Sequence, residues 1–115
     1  MQNLTITNEM SKIINEKEDK TTKLNTLCKQ LVALEIREAN KRVEIINKIE
    51  AQAKAEGKKV TDKTKTATAD AQLKSELGQI AHLKNDISSL KREIDLCDDK
   101  LSLHRNIIRE MELTL

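Results

Sequence analysis

The 115-residue chain contains no phenylalanine, tyrosine, tryptophan or proline, and only two glycines. Such a composition cannot supply an ordinary mixed core or turn-rich β structure, which leaves an all-α reading. No run of 18 apolar residues is present, which argues against a membrane-spanning helix. The opening "MQNLTITNEM" has neither the basic segment nor the apolar core of an export signal, so a cytoplasmic protein is expected. The two cysteines, Cys28 and Cys97, are too few for a disulfide framework or a zinc site. They read as reduced side chains; the alternative is a cross-hairpin disulfide, open to them if the chain turns near residues 60 to 65.

What the chain does contain is charge, 35% of its residues, interleaved with leucine, isoleucine and alanine. This is the composition of exposed helices in a single domain. The clearest pattern lies in the second half. Leu73, Ile80, Ile87, Ile94, Leu101, Ile108 and Leu115 recur every seven residues, with Leu83, Leu90, Cys97, His104 and Met111 between them. That spacing predicts a heptad seam that needs a partner helix of comparable length.

The first half offers that partner in two registers. Met10, Ile13, Leu24, Leu27, Leu31 and Leu34 follow one, and Val32, Ile36, Ala39, Val43, Ile46 and Ala53 follow another. Either the apolar face widens enough to touch a neighbouring subunit, or a stutter adjusts the supercoil. Residues 15 to 23, "NEKEDKTTK", carry no aliphatic side chain; they form either a helix solvated all round or a bend after a short N-terminal helix.

Between the halves, Gly57 suits a left-handed helix cap, Lys58 and Lys59 suit the negative end of a helix dipole, and Thr61, Asp62, Thr64, Thr66 and Thr68 offer oxygens to cap a new helix. We therefore expect one domain over residues 1–115. Helix 1 covers about 8–56 with a bend at 15–23 left open, the turn about 57–66, and helix 2 about 67–113. The architecture is an all-α, long antiparallel helical hairpin (coiled coil), assembled into a homo-oligomeric bundle or ring because one seam alone buries little. A parallel dimer of opened chains is the other arrangement that the Ile/Leu seam suits.

Two helices side by side offer no pocket in which catalytic groups converge, so the chain reads as a non-enzyme without cofactor, metal or small-molecule substrate. His82 falls outside the seam. His104 occupies it and lies about 10 Å of helix rise from Cys97, too far to share a metal. Charge points elsewhere. The net charge is only +2, but the turn clusters Lys58, Lys59, Lys63 and Lys65, and helix 1 adds Arg37, Lys41, Arg42 and Lys48. Repeated around a ring, such patches form a track for nucleic acid that reads phosphate rather than sequence, with no aromatic side chain available for base stacking.

Residues 54–113, "KAEGKKVTDKTKTATADAQLKSELGQIAHLKNDISSLKREIDLCDDKLSLHRNIIREMEL", resemble the C-terminal half of the phage UvsY-type recombination mediator family. The likeness lies in the lysine-bearing turn, the "ADxxL" helix start at Ala69, Asp70 and Leu73, the long heptad helix, and the terminal "HRNIIREME". The resemblance implies a homo-oligomeric accessory protein of DNA recombination in the bacterial host cytoplasm. It would bind single-stranded DNA and help load a recombinase onto strands covered by single-strand binding protein. It adds Arg105 and Arg109 to the DNA-contact candidates. The alternative is a coiled-coil structural, adaptor or assembly protein with no nucleic-acid role; a DNA-mimicking inhibitor is disfavoured by the positive net charge.

Overall fold

The structure, a computed structural model, describes residues 2–114, with side chains from Leu4 onward; Leu115, placed in the seam above, lies outside the described residues. Among the described residues there are three helices: α1 (Gln2–Ala55), α2 (Asp62–Gln72) and α3 (Lys74–Leu113). The chain is an all-α helical hairpin. It divides into two compact units, one pairing residues up to Cys28 with those from Asp86 on, the other spanning Lys29–Asn85. We call these the terminal unit and the turn unit.

The segment at residues 15 to 23 does not interrupt α1, which is helical throughout it. It contains no glycine or proline, and its threonine hydroxyls are satisfied along the helix: Thr21 donates to the Lys17 carbonyl (2.8 Å) and Thr22 to that of Glu18 (3.0 Å). α1 ends where the sequence places its glycine. Gly57 has φ +67°, the Lys58 N–H donates to the Ala53 carbonyl at 2.8 Å and the Gly57 N–H to that of Lys54 at 3.2 Å. This pair of bonds is the glycine-terminated Schellman cap.

The turn is shorter than expected. Thr61 caps α2 by accepting a hydrogen bond from the Thr64 N–H (3.2 Å), and Asp62 lies in the positive first turn. Residues 62 to 66, expected in the turn, are therefore helical. α2 and α3 meet at Leu73 (φ −100°, ψ 15°) without losing the backbone ladder: its N–H donates to the Ala69 carbonyl and its own carbonyl accepts from Leu77, both at 2.9 Å. The single helix 2 expected from the heptads is thus two helices distorted at one residue.

The buried core is narrow and comes mostly from the second arm. In the turn unit it comprises Ala53, Ala69, Leu73 and Ile80; in the terminal unit, Ile87, Leu90, Cys97 and Leu101. The remaining seam positions Leu83, Ile94, His104, Ile108 and Met111 are half-buried, so the heptad reading holds throughout the described part of α3. In α1 the half-buried positions are Ile6, Met10, Ile13, Lys17, Lys20, Leu24, Leu27, Cys28, Leu31, Leu34, Glu38, Arg42, Ile45, Ile46 and Ile49. The face steps sideways between Leu34 and Arg42. It takes in Ile46 and Ala53 of the second register and leaves Val32, Ile36, Ala39 and Val43 exposed.

Ion pairs across the helices set the register within each unit. Glu9 faces His104, Lys17 faces Asp98 and Lys20 faces Glu93 in one; Lys41 faces Glu76, Arg42 faces Asp70 and Glu50 faces Lys65 in the other. Rising numbers pair with falling ones, so the arms run antiparallel in both. In the terminal unit this register rules out the cross-hairpin disulfide. It pairs Lys17 with Asp98 and places Leu27 with Ser89 and Leu90, so Cys28 and Cys97 are separated by about ten residues, or ~15 Å of helix rise. Both are free thiols, Cys97 buried and Cys28 half-buried.

The two glycines carry opposite expectations. A β-carbon meets nothing within 4 Å at either Gly57 or Gly78, so conformation alone decides. Gly57→Ala forces a left-handed residue and is expected to cost about 1 kcal/mol. Gly78→Ala, inside α3, is expected to gain about 1 kcal/mol of helix propensity. Thermal or urea unfolding of the two variants measures both signs.

Candidate nucleic-acid interface

The turn unit holds eight of the ten cations marked as DNA contacts, and its geometry sorts them. Lys65 is drawn back from the turn: its Nζ bonds Glu50 at 2.8 Å and lies 3.7 Å from Asp62, and its side chain is only 19% exposed. The hydrogen bond to Glu50 outweighs partial burial and holds the ammonium above its ordinary pKa. Arg42 is likewise engaged. Its Nε bonds Glu38 and its Nη2 bonds Asp70, both at 2.7 Å, and these bonds raise its already high pKa. These two side chains hold the hairpin together rather than face solvent.

Lys58, Lys59 and Lys63 differ. All three are exposed, and the nearest carboxylate to any of them is Glu56, 3.7 Å from Lys58; Lys59 and Lys63 have no ion pair among the described residues. Lys58 and Lys59 lie between the glycine cap and the Thr61 cap, and Lys63 lies just past Thr61 in the first turn of α2. Arg37, Lys41 and Lys48 follow i, i+4, i+11 spacing and so share one exposed face of α1. Lys41 also reaches Glu76 at 2.7 Å. That bond, with the Glu76 backbone N–H and the charges of Lys41 and Arg37, depresses the Glu76 carboxyl.

Arg105 and Arg109 lie in the terminal unit and are exposed. Arg105 borders a solvent-open groove of about 570 Å³ with Ile14, Lys17, Thr21 and Leu101. Neither belongs to the lysine cluster of the turn.

Two functional features escaped the reading by residue type. Lys17 and Lys20 are seam residues, laying their aliphatic stems between the arms and carrying their ammonium groups to Asp98 and Glu93. Lys20 is opposed by partial burial, which the hydrogen bond to Glu93 and the charges of Glu93 and Glu16 overcome, so its pKa stands above the ordinary value. The signal was present: positions 17 and 20 continue the seven-residue register of Met10, Ile13, Leu24 and Leu27. The second feature is His104. Its Nδ1 is 2.6 Å from the Lys100 carbonyl oxygen and its Nε2 is 3.0 Å from the Glu9 carboxylate. Both neighbours are acceptors, so only the imidazolium satisfies them together. His82 is exposed on α3.

No family model matches the chain, and neither a curated protein nor a solved structure matches it. Among the described residues no helix is long and apolar enough to cross a membrane, and no group of three His, Cys, Asp or Glu side chains could hold a metal ion.

The His104 site makes a pH-dependent contribution of definite sign. The Lys100 carbonyl first, then Glu9, raises its pKa above 6.5. Its contribution is therefore complete below the unfolded value and lost as pH rises through the raised folded value. The melting-temperature difference between the native protein and His104→Gln is expected to shrink as pH goes from about 5.5 to about 8.5, and Glu9→Gln to flatten that dependence. Melting curves across this range measure it.

Proposed function

We propose that this protein is a self-associating, non-catalytic accessory factor that binds single-stranded DNA through its interhelical turn, and acts with a recombinase or single-strand binding protein in phage-type DNA recombination. The observation that carries the proposal is the set of three exposed lysines, Lys58, Lys59 and Lys63, gathered within six residues from the glycine cap of α1 to the first turn of α2. A solvated charge run usually lies on a helix face with its counter-charges beside it. Here the paired cations, Lys65, Arg42 and Lys41, are anchored elsewhere, and the turn keeps a surplus of positive charge. Phosphate contact by such lysines reads no sequence, and it suits a factor that must act along any strand. The role in recombination rests on the resemblance of residues 54–113 to the UvsY-type family.

The second reading is a coiled-coil adaptor without a nucleic-acid role. It draws support from the fact that three of the eight turn-unit candidates are already bonded to carboxylates of their own chain.

The readings part on a titration of a labelled oligothymidylate at several salt concentrations. On the proposed function the native protein binds with a salt-dependent affinity. The triple variant Lys58→Ala, Lys59→Ala, Lys63→Ala is expected to bind at least about tenfold more weakly, with a log–log salt slope shallower by about 2, at unchanged helicity. Lys65→Ala is expected to lower thermal stability more than affinity. A native protein that shows no binding at low salt leaves the adaptor.

A further inference from the structure

The apolar stripe that α1 leaves exposed has a shape and a charge pattern that fit a second copy of itself. Val32, Ile36, Ala39 and Val43 recur at i, i+4, i+7 and i+11, which places them on one side of α1, roughly a third of a turn round from the half-buried row Leu31, Leu34, Glu38, Arg42 and Ile45. Val32, Ile36 and Val43 are each 57% exposed. The uncharged Asn40 and Asn47 run along one edge of the stripe. A cation, Lys29, stands at its N-terminal end and an anion, Glu50, at its C-terminal end, both exposed. Glu50 gives only its Oε1 to Lys65.

Turned end for end, this pattern is its own complement. A twofold axis midway along the stripe sets Val32 against the partner's Val43 and Ile36 against the partner's Ala39, so that a large side chain meets a small one in the central layers. Lys29 then falls one helical turn from the partner's Glu50. Helical side chains lean toward their own N-terminus, and in an antiparallel pair that inclines these two toward each other. The contact occurs twice by symmetry. A parallel pair would instead stack Lys29 on Lys29 and Glu50 on Glu50. We propose that the Val32–Ile36–Ala39–Val43 face of α1 is an isologous, antiparallel interface between two copies of this chain, closed at each end by a Lys29–Glu50 pair. The proposal deepens the self-association in the function proposed above and does not depend on DNA binding. Three turns of helix bury less than the ~1,200 Å² of a standard interface, so the dimer dissociates on dilution, with a dissociation constant on the order of micromolar.

The native protein supplies the orientation test. Lys29 and Glu50 lie 21 residues apart on one continuous helix, about 31 Å, so a zero-length carbodiimide cross-link between them can form only between chains. Peptide mass spectrometry of the cross-linked dimer is expected to find that link. Sedimentation equilibrium is expected to show association weakened at least about tenfold by Val43→Lys and unchanged by Leu103→Lys, a change at an exposed leucine of α3, with circular dichroism confirming that both variants remain helical. A native protein that stays monomeric at all concentrations overturns this interface together with the self-association it rests on. A dimer that withstands Val43→Lys, or lacks the Lys29–Glu50 link, overturns the interface alone.

Discussion

Two antiparallel helices with leucine and isoleucine repeated every seven residues can slide past each other by a heptad and still form an aliphatic seam, because the side chains at equivalent positions are interchangeable. What distinguishes one register here is the charge placed at or beside seam positions. In the terminal unit Lys17 faces Asp98; a slide of one heptad in either direction would bring it to Lys91 or Arg105. In the turn unit Arg42 faces Asp70, and the same slide would offer it Leu77 or Lys63. Ion pairs this exposed contribute little to net stability one at a time. Their effect is on the competing arrangements, each of which would juxtapose like charges or strand a cation against an aliphatic side chain. The narrow core supplies the attraction and the charges decide where it is used.

This division of labour explains what could be read in the sequence. The seam of α3 was legible because every one of its core positions is aliphatic or occupied by Cys97 or His104, so the period of seven is visible to the eye. α1 was legible only in part. Four of its seam positions, Lys17, Lys20, Glu38 and Arg42, are charged, and a search for aliphatic repeats passes over them; hence the apparent gap at residues 15 to 23. The limits of the turn shifted for a related reason. Residues 61 to 68 are nearly all lysine, threonine and aspartate, which carry no apolar period, and the start of α2 is fixed instead by a single threonine hydroxyl. With the turn placed several residues too late, Cys28 and Cys97 looked level when they are about ten residues out of step.

The candidate interface shows the same limit. That lysines and arginines cluster around the turn is plain from their order in the chain. Which of them are already engaged depends on carboxylates brought from the opposite arm: Glu50 reaches Lys65, Asp70 reaches Arg42 and Glu76 reaches Lys41. Only the fold supplies that list; it removes three cations from a diffuse basic region and leaves Lys58, Lys59 and Lys63 exposed where α1 gives way to α2, with Arg37 and Lys48 exposed on α1.

The short connection between the arms also orders the folding of the chain. Glu50 and Lys65 are separated by 15 residues, Lys41 and Glu76 by 35, Lys17 and Asp98 by 81, and Glu9 and His104 by 95. The entropy lost in closing a loop rises with its length, so contacts beside the glycine cap are the least costly to form and each one shortens the loop left for the next. Closure is therefore least costly at the turn and most costly between the two ends of the hairpin. On a ribosome, the first half of α1 emerges long before the residues from Asp86 on that pair with it, and its apolar seam stays uncovered until they follow.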